Sequence, residues 1–306
     1  MTSPRGRPGG SAGGWTGVFA TAALLAVATP ALAASASDLF YERTVMAVAG
    51  HRCGLFDATV GGALEATRMQ ARGAALRSGA AIEVLAAVEQ RARSKAVGAD
   101  CASPDLALAA GRVRAAFEGY SRLIRMNWPG DLSEWRADRT ISRDLPIWRL
   151  SQSASFGPDQ MTFGLGGRDG GRVLLAAVSF ADGATPYAAR LVMRDTARAP
   201  QPYLNRRGAG GAIPLSARVP PSAAATVFVA EARSPASERL RPVGTEAGWL
   251  YRFPPAAASA LTRLDPREAI VVEFVFAGRG GDEVRRAYVE VGDFAAGRAF
   301  LDISQR

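Results

Sequence analysis

One lysine, one histidine and two cysteines leave this 306-residue chain few routes to familiar chemistry. His51 is the only base available to a Ser-His-Asp or Cys-His relay. It sits at the end of a helical stretch, where a lone histidine usually caps or faces solvent. Lys95 lies inside another helical stretch, so no Gly-rich phosphate loop can close on the lysine it requires. No Gly-x-Ser-x-Gly elbow, His-Glu-x-x-His helix or calcium loop occurs. Glu65, Glu83, Glu89 and Glu118 stand apart, without the Glu-x-x-His spacing of di-iron bundles. His51-x-Cys53 with Cys101 supplies too few donors for a closed zinc site. The expectation is a non-catalytic protein with no metal and no cofactor.

What is abundant is arginine, which makes up every basic residue but one out of 37, against 28 acidic ones, for a net charge of +9. The guanidinium fork suits carboxylate and phosphate, so an anionic partner fits. The arginines are scattered along the chain instead of massed in a block, which argues against nucleic acid.

The first residues read as a targeting segment. Arg5 and Arg7 form a positive start, an apolar run extends from Trp15 to Ala28, and Pro30 breaks it. Ala31-Leu32-Ala33 then offers a small-x-small cleavage site before Ala34. Residues 1–33 are therefore expected to be a signal peptide, with the mature protein delivered to the periplasm and no later membrane span. In an oxidising compartment Cys53 and Cys101 pair most simply as a disulfide. Closing that loop of about 48 residues stabilises by about 4 kcal/mol in the chain-entropy model.

Residues 34–127 carry apolar residues at helical spacing. Ser37-Asp38 is a plausible first cap, Asp57 a second, and Ser103-Pro104-Asp105 the clearest helix start in the chain. Leu106, Ala110, Val113, Phe117, Tyr120 and Ile124 extend the last helix to Met126. Four helices with short loops predict an antiparallel bundle braced by the disulfide. Residues 149–306 change to short β-type runs separated by turn signals. Arg168-Asp169-Gly170-Gly171 and Arg279-Gly280-Gly281-Asp282 read as hairpin turns, and ERLRPV pairs with GWLYRFP across a short turn. Short helices are expected in PAAASALTRL and DFAAGRAFLDI. The fold class is therefore α+β: the bundle, then an antiparallel β-sandwich or barrel-like domain.

Trp148-Arg149-Leu150, the strand EAIVVEFVFAG and the ending VGDFAAGRAFL resemble the invasion-associated locus B family of small exported alphaproteobacterial proteins. The resemblance spans about half the chain and implies an exported, non-enzymatic envelope protein.

Residues 128–148 form the joint between the two parts. With Trp128, Trp135 and Trp148 among arginines, the joint either locks the parts together or offers a binding surface. Trp128, Trp135, Arg136 and Arg139 are candidates for that surface. Arg206 and Arg207, in a long Pro/Gly-rich loop, complete the set. The expected partner is an anionic envelope component or another envelope protein. The alternative is an envelope-polymer hydrolase using paired carboxylates among Asp131, Glu134, Asp138 and Asp144.

Overall fold

The computed structural model describes residues 35–204 and 213–303. The expected signal peptide and the pair Arg206-Arg207 lie outside the described residues. Four helices come first: α1 (Ala36–Cys53), α2 (Ala58–Arg77), α3 (Ile82–Val97) and α4 (Pro104–Ser121). Their ends follow local chemistry. α1 is capped two residues earlier than expected, where Ser35 and Asp38 form a reciprocal capping box. Gly54 then stops α1 with a left-handed φ of 63°. The Asp57 carboxylate accepts from the Val60 backbone N–H at 2.8 Å and starts α2. Pro104 opens α4 at its first turn. The disulfide forms between Cys53 and Cys101, tying the end of α1 to the turn before α4.

Two antiparallel sheets follow. The first runs in the order β1 (Arg125–Pro129), β2 (Glu134–Asp138), β3 (Ile147–Phe156), β4 (Asp159–Gly167), β5 (Val173–Ser179), β9 (Trp249–Arg252), β8 (Ala232–Pro235). The second runs β11 (Gly281–Glu290), β10 (Ala269–Gly278), β6 (Ala188–Arg194), β7 (Ala225–Val229). Each has two free edges, so neither closes into a barrel. Two short helices, α5 (Pro255–Leu261) and α6 (Phe294–Leu301), form where expected.

Three expectations are corrected. Helix α4 ends at Ser121 instead of Met126, because Arg139 donates to the Ser121 and Leu123 carbonyls at 2.8 and 2.9 Å. Those are acceptors a helix end leaves open. Residues 128–148 are no linker. Their first part completes the β1–β2 hairpin, where Trp128 and Trp135 face each other in register, and β2 pairs with β3. ERLRPV is no strand either, since β9 pairs with β8 instead and residues 236–248 leave the sheet as a loop whose ends are joined by the Ala236 N–H donating to the Gly248 carbonyl at 2.9 Å.

Helices and sheets share the largest apolar core, while α1–α4 hold two smaller clusters of their own, one around Phe40 and Leu76 and one around Ala49 and Leu106. Ala63 and Ala66 of α2 belong to the largest core with Trp128, Trp135, Leu150, Phe163, Phe274 and Phe300. Rings from both sheets meet there: Phe274 of β10 lies 6.0 Å from Phe156 and 5.6 Å from Tyr251. Helix α6 lies against β3 so closely that a Cβ on Gly297 would stand 2.5 Å from Leu150 Cδ1. Buried Gln152 of β3 ties the sheets together, donating to the Glu290 carbonyl and accepting from the Glu290 N–H at 3.1 and 2.8 Å.

Candidate functional site

In antiparallel strands the residues directly opposite share a face. Arg136 faces Ser151, and Ser153 faces Thr162, so β2, β3 and β4 present a polar row outward. Leu150 and Phe163, one step away in each strand, are buried on the other side. A register shift between Trp148 and Leu150 marks a bulge. Opposite it Gly164 takes φ 153°, where a Cβ would stand 1.9 Å from the Leu150 carbonyl oxygen. Bulges re-aim side chains, and Trp148 turns toward the loop, donating from Nε1 to the Leu240 carbonyl at 3.1 Å.

That loop roofs the polar row and makes a groove of about 610 Å³. Its floor holds Ser151, Ser153 and Thr162, with Trp148 alongside. Leu132, Ser133, Glu134 and Arg136 form one wall, and Glu238, Arg239, Arg241 and Val243 the other. Arg136 pairs with Glu134. Arg241 donates to the Glu246 carbonyl, while its buried Nε has no partner among the described residues. Arg239 and Glu238 make no hydrogen bond or ion pair among the described residues, and both are exposed. The groove thus offers hydroxyls, an indole and two guanidinium groups without carboxylate partners among the described residues. Such a set can hold anionic oxygens through charged fork donors and stack an apolar ring face.

The other expected residues fall elsewhere. Trp128 and Trp135 are core residues, 0% and 1% exposed, and form no surface. Their rings pack on α6, Trp128 at 5.4 Å from Phe300 and Trp135 at 5.1 Å from Phe294. Arg139 is also buried, with its Nη2 donating to the Ile303 carbonyl at 2.6 Å. Of the expected surface residues that are described, Arg136 alone lines the groove, and Trp148, named in the same stretch, joins it.

The carboxylates considered for hydrolysis do not converge. Asp131 is bonded by Arg218 at 2.9 Å, and Asp138 by Arg125 at 2.8 Å. Burial pushes the Asp138 carboxyl up, but hydrogen bonds from Thr140 and Arg125 outweigh it and hold the group below its ordinary range. A general acid needs the opposite shift. Asp144 is exposed and outside the groove, leaving Glu134 as the one of the four that lines it.

A second cleft of about 590 Å³ lies between the start of α2 and the end of α4. Its cations are engaged: Arg122 by Glu118, Arg114 by the Leu55 carbonyl, and Arg139 as described. The groove on the first sheet is therefore the stronger candidate.

Arg239, Arg241 and the hydroxyl row were missed by sequence reasoning. The loop residues had been assigned to a strand. The recurrence of serine at 151, 153 and 155 was the available signal, since residues two apart share one face of a strand. Among the described residues no helix is long and apolar enough to cross a membrane, and no cluster of three or more His, Cys, Asp or Glu side chains is placed to hold a metal. Compared with known protein families, curated proteins and solved structures, the chain matches none.

Proposed function

We propose that this chain is an exported, non-catalytic protein of the cell envelope that binds an anionic envelope component in the groove over β2–β4. One observation carries the reading: Arg136, Arg239 and Arg241 line one groove with Trp148, and two of the three lack a carboxylate partner among the described residues. The N-terminal targeting pattern, the disulfide and the resemblance to invasion-associated locus B proteins support a periplasmic location after cleavage near Ala33/Ala34. In this reading α1–α4 act as a braced antiparallel bundle and the two sheets as a sandwich whose outer face carries the groove. Hydrolysis through paired carboxylates draws no support from the site, because arginines already engage Asp131 and Asp138.

Co-sedimentation of the full chain with an isolated envelope fraction, at graded salt, tests it. Binding is expected to saturate and to weaken as salt rises through the physiological range, where charges are screened over roughly 8–10 Å. The double variant Arg239→Ala/Arg241→Ala should lower affinity at least severalfold. Absence of binding, or binding indifferent to both salt and the double variant, overturns the reading.

A further inference from the structure

A separate cleft of about 270 Å³ opens between α2, the segment after α5 and the start of α6. Met69, Leu261, Leu264, Val291 and Ala296 supply its apolar wall, and Arg68, Glu89, Arg263 and Asp293 line the rest. Into it faces Arg72, half-buried on α2.

The carboxylates nearby are already engaged by other arginines. Glu65 receives two hydrogen bonds from Arg68, at 2.7 and 2.8 Å. Glu89 is shared by Arg68 and Arg93, and Asp293 is bonded twice by Arg77. Arg267 holds Asp265 through two bonds of 2.9 Å. Arg72 is left with no hydrogen bond or salt bridge among the described residues; Asp265 and Glu89 act on it only through their fields. Burial pulls its pKa down, and those two carboxylates do not restore it.

We propose that this cleft binds a small organic monocarboxylate, with Arg72 as the anchor for its carboxylate and the apolar walls as the seat for its hydrocarbon body. A half-buried guanidinium with no acceptor leaves strong donors unused, and its planar fork matches a carboxylate bidentately. Arg263, which also lines the cleft, is exposed and donates to the Ser259 carbonyl at 3.0 Å, so Arg72 is the half-buried cation there without an acceptor, which favours a monoanion over phosphate. The cleft lies just under the usual range of roughly 300–1,000 Å³ for ligand sites, so the guest is small. The site is independent of the groove over β2–β4.

Calorimetric titration of the full chain with sodium octanoate, 1-octanol and inorganic phosphate tests the proposal. Octanoate should bind saturably, with octanol and phosphate weaker by on the order of tenfold or more, the worth of a charge-assisted pair. Arg72→Gln should abolish the preference for octanoate over octanol while leaving the urea midpoint unchanged, because the guanidinium makes no hydrogen bond or ion pair among the described residues. Equal binding of octanoate and octanol by the wild type overturns the proposal even if the variant does not fold. So does octanoate binding undiminished in a folded Arg72→Gln protein, or no octanoate binding at millimolar concentration.

Discussion

Replacing Glu290 should cost more than any other single side chain at the edge of the groove. Its carboxylate is fully buried and accepts from the backbone N–H groups of Asp131, Leu132 and Ser133 at 2.7, 2.9 and 2.8 Å. Buried Arg218 stands 3.8 Å away and also bonds Asp131. Glu290→Ala strands three donors, each worth about 1–3 kcal/mol if left unsatisfied. The turn is partly open, so water recovers some of that. Arg218, however, keeps a single carboxylate partner inside the protein. Breaking a buried charge pair costs about 3–5 kcal/mol, and we expect a net loss of about 4 kcal/mol. Glu290→Gln should lose roughly half as much, since its amide oxygen still accepts while its NH2 opposes a donor. Urea unfolding followed by tryptophan fluorescence measures this. With a slope of about 3 kcal/mol per M, the alanine midpoint should fall by more than about 1 M. A fall below about 0.3 M at unchanged slope refutes the view that this carboxylate holds the turn. Because Leu132 and Ser133 wall the groove, the same variant should also weaken binding to the envelope fraction.

Gly297→Ala inserts a methyl 2.5 Å from Leu150 Cδ1, against a leucine with no exposure, and should lower stability by about 1–3 kcal/mol in the same urea assay. A surface alanine exchange such as Arg136→Ala should stay within about 0.5 kcal/mol. Burial raises the phenols of Tyr120 and Tyr251 to about 12. Folded-state values above the unfolded ones mean a stabilisation complete below pH 10 and lost as pH climbs toward 12. Ultraviolet titration should therefore show Tyr120 and Tyr251 ionising late, with unfolding beginning in that window. Ionisation of all six tyrosines near pH 10 in a still-folded protein contradicts the assignment.

What could be read in the sequence was local. Asp57, Gly54 and Ser103-Pro104 mark helix ends because a cap depends only on residues within one turn. The hairpins at Arg168–Gly171 and Arg279–Asp282 were legible for the same reason. The end of α4 was not, since the apolar spacing runs on through Ile124, while the carbonyls at the helix end meet a guanidinium from Arg139, which lies 18 residues beyond Ser121 and outside the helix. Trp128 and Trp135, expected at a surface, lie in the core, because α6 returns from the C-terminal end to cover them. In the groove, Arg136 and Trp148 lay in the stretch that drew attention. Arg239 and Arg241 reach it only because residues 236–248 leave the sheet, a consequence of β9 choosing β8 as its partner.

The hold of Glu290 on the turn at Asp131–Ser133 has a consequence for how the molecule is made. The two ends of that clasp are 157–159 residues apart. During synthesis the β1–β2 hairpin emerges long before the carboxylate that fixes it, and before the helix that covers its two indoles. Contacts of such long sequence separation form late and slowly. A nascent chain ending before β11 should therefore expose Trp128 and Trp135 and be cut by protease near Leu132, whereas the full chain resists. Resistance in the shorter chain would show that the hairpin settles without its clasp. On this view the groove is among the last parts of the protein to form, and an unfinished chain cannot engage a ligand there.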